Sequence, residues 1–126
     1  MAEQAVRRIT PSQRVEGPPT PGMTRWQAAE TDGIWAGLAR TETGMVSGWH
    51  HHGDHESAIY VLSGKLRMEF GPGGGEGFDA GPGDFVYVGP GAVHRESNPG
   101  DEPADILVVR TGGGGSVVNV DGPDPV

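Results

Sequence analysis

Four of the chain's five histidines fall within six positions, in the stretch Gly48-Trp49-His50-His51-His52-Gly53-Asp54-His55-Glu56. Crowding of imidazoles points first to a metal, because a first-row ion takes nitrogens at about 2.0–2.1 Å from several rings at once. In an extended strand side chains alternate, so His50 and His52 share one face and His51 takes the other. Two ligands do not make a site, and the remainder must come from elsewhere in the chain. The candidates are His55 and Glu56 just downstream and the remote fifth histidine, His94. An isolated histidine is ordinarily a satisfied structural group, and a solvated loop is the plain alternative for the triplet. It is the combination of H-x-H, a nearby carboxylate, an apolar run closed by glycine and a distant histidine that argues for a metal.

The chain has no cysteine, which removes thiolate catalysis, thiolate ligands and disulfides together and leaves histidine, carboxylate and water as donors. Nitrogen ligands disfavour calcium and magnesium. With 17 acidic and 9 basic residues the formal charge is -8, so nucleic acid and anionic membrane surfaces would be repelled. The N-terminus lacks an apolar signal-like core, and no apolar run approaches the roughly 18 residues of a membrane span. A soluble cytoplasmic protein is the expectation. The single lysine, Lys65, argues against Schiff-base chemistry. Asp84 and the aspartates of "DGPDP" sit beside glycine and proline as turn formers, and Gly112 to Gly115 lack the context of a phosphate loop.

The elements that must position these residues are short strands. At 126 residues the chain is long enough for one domain and one site, and its 23 glycines and 11 prolines fall between β-branched and aromatic runs. Strands are expected near 24–30, 33–41, 44–50, 57–63, 65–70, 77–79, 84–88, 92–97, 104–111 and 116–120. Residues 1–22, polar and proline-rich, are expected to form an extended arm, with a single domain over 23–126. The link "LSGK" is expected to be a tight turn pairing 57–63 with 65–70, and "RTGGGGS" a flexible or bulged connection. By alternation Ser57, Ile59 and Val61 line the site face, whereas Trp35, Trp49, Met45, Met68 and Phe70 are read as core. Arg40, Arg67 and Arg110 lie on strands of unassigned phase, so an anion-binding arginine is left undesignated. In "AIYVL", "FVYV" and "ILVV" apolar residues occupy both faces, which calls for a second subunit, or its arm, over the outer one. A homodimer follows as an expectation.

Gly44 to Gly64 resembles the first motif of the cupin superfamily, G-x5-H-x-H-x3–4-E-x6-G, through Gly44, His50, His52, Glu56 and Gly64. Residues 83–98 resemble its second motif, G-x5-P-x-G-x2-H-x3-N, through Gly83, Gly91, His94 and Asn98. Two departures stand out. Proline falls at Pro90, after Gly89, and counting back from Gly64 puts the glutamate position at Ser57, one residue past Glu56. In an unbroken strand Glu56 faces the wrong side. A bulge could re-aim it, His55 could take its place, or three histidines and water could make the site. The motif's x3 form ranks Glu56 ahead of His55.

The resemblance implies an all-β, double-stranded β-helix (jelly-roll) barrel. Within it, His50, His52, Glu56 and His94, with His55 as the alternative to Glu56, would hold one divalent transition metal such as Fe, Mn, Ni, Cu or Zn. It implies a small-molecule ligand or substrate and, as the leading function, a metal-binding single-domain cupin, with a metal-dependent oxygenase as its enzymatic form. A non-catalytic binding or sensory module with a structural metal, and a metal-dependent isomerase or lyase, are the alternatives, since one fold hosts all of these.

Overall fold

The computed structural model describes residues 6–18, 20–112 and 117–125. Residues 113–116, most of the "RTGGGGS" connection, lie outside the described residues, as do 1–5 and 19 of the N-terminal stretch. Eleven strands are described: β1 (Val15–Glu16), β2 (Met23–Glu30), β3 (Ile34–Thr41), β4 (His50–His51), β5 (Ser57–Ser63), β6 (Leu66–Phe70), β7 (Glu76–Ala80), β8 (Phe85–Val88), β9 (Arg95–Ser97), β10 (Ala104–Thr111) and β11 (Val118–Asn119). Six of them form one sheet in the order β1-β2-β3-β10-β5-β8, β7-β6-β9 form a second, and β11-β4 pair separately. This is the expected double-stranded β-helix, with its sheets stacked rather than closed into one hydrogen-bonded barrel. Within the expected arm, Pro11–Gln13 make a short 3-10 turn and β1 adds to the sheet edge, Val15 lying opposite Gln27.

Alternation decides which side chains enter the interior. On β5, Ile59 and Val61 are buried, on β8 Val86 and Val88, and on β10 Ile106 and Val108; they meet Leu66, Met68 and Ala80 of the smaller sheet in one core. The intervening residues face out. Phe85, Tyr87, Leu62, Leu107 and Val109 are exposed on the outer surface of the large sheet. Among the described residues no helix is long and apolar enough to cross a membrane.

One local expectation is overturned. Strands 57–63 and 65–70 do not form a hairpin: β5 pairs with β10 and β8, whereas β6 pairs with β7 and β9. The link through Gly64 carries the chain from one sheet to the other. Gly64 has φ +80, and a Cβ there would lie 2.6 Å from the Ala104 Cα and 2.7 Å from the Pro103 oxygen. The positive φ that reads in sequence as a hairpin turn serves here to cross between sheets against the start of β10.

The segments 44–50 and 92–97 are only partly regular strand, yet they zip together. Gly44 N–H donates to Asn98 O, Asn98 N–H to Met45 O, Ser47 N–H to Glu96 O, and His50 and His94 exchange both backbone hydrogen bonds, at 3.0 and 2.9 Å. Asn98 anchors the far end, its buried amide donating to the Thr41 and Glu102 carbonyls while Oδ1 accepts from Gly100 N–H. On the other flank β11 pairs with β4, Asn119 opposite His50.

The crossing at Gly64 yields a test. Gly64→Ala should destabilise the protein by more than the about 1–2 kcal/mol of a left-handed non-glycine residue alone, because the Ala104 backbone blocks the added methyl. A urea midpoint within error of wild type would contradict this account of the crossing.

Candidate metal centre

The backbone exchange between His50 and His94 sets their side chains on one face, and His52, two residues on, joins them. One ring nitrogen from each of His50, His52 and His94 lies within 4.8 Å of the others, and all three residues are buried. Ring centroids are 4.4 Å apart for His50 and His94, 5.1 Å for His50 and His52, and 5.3 Å for His52 and His94. His50 Nδ1 lies 2.8 Å from the Gly48 carbonyl and His94 Nδ1 2.9 Å from the Ala92 carbonyl. A carbonyl only accepts, so each Nδ1 carries the proton and each Nε2 keeps its lone pair in the neutral ring. That is how second contacts orient histidine ligands toward a metal. The His94 Nε2 is buried without a hydrogen-bond partner among the described residues. A native interior rarely leaves such an atom unexplained, and a metal is the ligand that this donor set fits.

Glu96 stands beside them, a residue the sequence reading missed. Its Oε1 lies 3.4 Å from His94 Nε2 and 3.7 Å from His50 Nε2. Burial by itself would raise its carboxyl, but the two imidazoles outweigh that and hold it well below the usual carboxylate range. Burial likewise opposes protonation of His50, yet the Glu96 carboxylate and the Gly48 carbonyl prevail and raise its pKa above the ordinary value. A signal for Glu96 did exist: it is two residues from His94 and therefore on the same face of the strand.

Glu56 is not brought to the cluster. No bulge interrupts the start of β5, so Ser57 turns inward and Glu56 outward, where its carboxylate accepts a 2.9 Å hydrogen bond from the Tyr87 hydroxyl. His55 also stays outside, its Nδ1 against the Thr111 carbonyl and its ring across Gly112. His51 points away from the other two members of the triplet, its Nδ1 accepting from Gly53 N–H. Ser57, Ile59 and Val61 are inward and buried, Met45 and Met68 are core, and Trp35 and Phe70 pack against that core. Trp49 instead lies under the Arg95 guanidinium, 4.6 Å from its ring centroid. The phase of Arg110 is now settled: it follows Ile106 and Val108 into the interior, where its Nε donates to Ser57 Oγ.

The cupin domain family, Cupin_2, matches residues 37–110, which span β3 to β10 and hold all three clustered histidines. The chain belongs to that family. Its fold is shared by a conserved protein from Klebsiella pneumoniae with a double-stranded β-helix domain, at 23% identity and TM-score 0.75, covering 96% of this chain and 97% of that one. KdgF from Halomonas sp. is similar at 20% identity and TM-score 0.70, covering 86% and 94% of the two chains. A variant of Bacillus subtilis oxalate decarboxylase, an enzyme with Mn(II) centres, is 26% identical with TM-score 0.70. The match covers 82% of this chain but only 29% of the decarboxylase. No curated protein matches the chain.

In the metal-free protein the Glu96–His50 pair is charged on both sides only above the titration of Glu96 and below that of His50. Its stabilisation is therefore lost as pH rises through the raised His50 pKa. In chelator-treated protein, imidazole NMR should show His50 titrating above the ordinary value of about 6.5, and Glu96→Gln should bring it down. An unchanged His50 titration in that variant would remove Glu96 from the site's electrostatics.

Proposed function

We propose that this cupin binds one divalent transition metal through His50, His52 and His94 and uses it to hold and act on a small organic molecule in the interior. The observation that carries the reading is the convergence of three buried imidazoles, two of which, His50 and His94, commit Nδ1 to a backbone carbonyl and leave Nε2 for a ligand. Manganese is the first metal to try, in view of the Mn(II) centres of the oxalate decarboxylase, with Fe, Ni, Cu and Zn equally suited to imidazole donors. Bound there, a metal would supply Lewis acidity and open coordination positions for the substrate. The chain's own residues do the rest: the histidines fix the position, Glu96 places a compensating negative charge beside two of them, and the apolar interior excludes water.

Protein purified without chelators should carry about one equivalent of transition metal per chain, and the His50→Ala/His94→Ala double variant should lose it while keeping its far-UV spectrum. A native chain that is metal-free and takes up none of the five metals would overturn this function in favour of a binding module without metal. Substrate-dependent oxygen consumption by the Fe or Cu form would identify an oxygenase, and turnover without oxygen an isomerase, lyase or decarboxylase.

The same reading includes a homodimer through the outer face of the large sheet. Phe85 and Tyr87 on β8 are 74% and 67% exposed, and Leu62, Leu107 and Val109 on neighbouring strands extend the patch. A second copy of this chain is the occupant proposed, since antiparallel strands with apolar residues on both faces need cover on both. Light scattering at micromolar concentration should give twice the chain mass, and Phe85→Asp should shift it toward one; a wild-type monomer would end this part of the proposal.

A further inference from the structure

Two half-buried arginines turn toward the core side of the large sheet, and the three-histidine site does not use them. On the strands, Arg40 pairs with Asp105, Arg67 with Asp79 and Arg95 with Glu69, all at the surface or partly buried. The two inward arginines differ. Arg110 donates through Nε to Ser57 Oγ at 3.0 Å, and its guanidinium carbon stands 6.0 Å from the Trp35 ring centroid; among the described residues it has no ion pair. Arg25 lies opposite Ala39 on the core face of the same sheet and donates to Thr20 Oγ1 at 2.8 Å, again without an ion pair among the described residues. The local sequence explains why. At the start of β5 the carboxylate of Glu56 turns out to Tyr87, and Ser57 offers the interior only a hydroxyl.

We propose that Arg110, with Ser57 beside it and Arg25 adding charge, forms a carboxylate subsite, so that the molecule held in this interior is a small organic acid. A guanidinium whose Nε is spent on Ser57 still presents its two Nη groups, which match the two oxygens of a carboxylate. Burial weakens the solvation of the Arg110 charge, Glu96 supports it and Arg25 opposes it. With one nearby carboxylate against two guanidiniums, an anionic ligand is the missing counter-charge. Trp35 makes a fixed wall: its indole N–H donates to Gln27 Oε1 at 2.9 Å, and its ring covers Gly37, where a Cβ would lie 2.7 Å from the ring edge. Inorganic phosphate can engage the same two Nη groups and is therefore the competing anion to test.

The inference deepens the proposed function, on which it rests for the ligand's second, metal-facing end. Calorimetry on the full chain, metal-free and Mn(II)-loaded, would use acetate, pyruvate and malate as acids, with pyruvamide and inorganic phosphate as controls. At least one acid should bind, pyruvate at least about tenfold more tightly than pyruvamide if it is that acid, and Arg110→Gln should weaken the bound acid by about tenfold or more. Arg110→Lys should fall between, Arg25→Gln should weaken it less, and Mn(II) affinity should stay unchanged in all three, with circular dichroism confirming their fold. No binding by any of the acids, equal binding by a folded Arg110→Gln, or tighter binding of phosphate would overturn the subsite. Loss of Mn(II) binding with Arg110-dependent acid binding intact would instead sink the metal reading and leave the subsite standing.

Discussion

The exchange of two backbone hydrogen bonds between His50 and His94 is the constraint on which the site depends. It joins segments separated by more than forty residues, and it fixes the phase of both at once. Strand alternation then does the remaining work without further specification, bringing in His52 from one side and Glu96 from the other. A slip of one residue would turn every one of these side chains to the outside. The register is correspondingly secured at both ends, by the Asn98 amide on the turn that follows and by β11 alongside β4.

The interior formed this way is divided by chemistry. Its lower part is a continuous apolar core from both sheets, centred on Val61, Leu66 and Ile106, each almost wholly inaccessible. Beside it lie buried polar groups that would be costly in isolation, three imidazoles and the Glu96 carboxylate, with the half-buried Arg25 and Arg110 on the same face of the large sheet. Several are held by one another, as Glu96 is by His50 and His94, or by backbone carbonyls. The His94 Nε2, which has no hydrogen-bond partner, and the two arginines, which have no ion pair among the described residues, are where ligands are proposed. The chain's net charge of -8 does not reveal this arrangement, because Glu96 alone of its acidic residues is buried among the described residues.

The fold and family were legible from the glycine-punctuated strands and the spacing of two histidine motifs, and nearly every strand lies within a few residues of its expected place. The three clustered histidines were legible for the same reason, since alternation and motif spacing are both one-dimensional. The Gly64 turn was misjudged because a positive φ specifies a reversal, not the partner that each flanking strand takes afterward. Glu56 was favoured by motif likeness although its parity with Ser57 already opposed it, and the structure shows no bulge to reconcile the two.

By itself, then, the sequence determined an all-β chain, the alternation of buried and exposed residues along its strands, and the donor types available for a metal. These follow from local geometry and composition, which need no knowledge of distant contacts. Only the tertiary structure decided that Glu96 rather than Glu56 accompanies the histidines, that Arg110 enters the interior, and that β5 and β6 belong to different sheets. Each of those depends on which strands lie side by side, and pairing between residues far apart in the chain is set by the packing of whole faces rather than by any local signal.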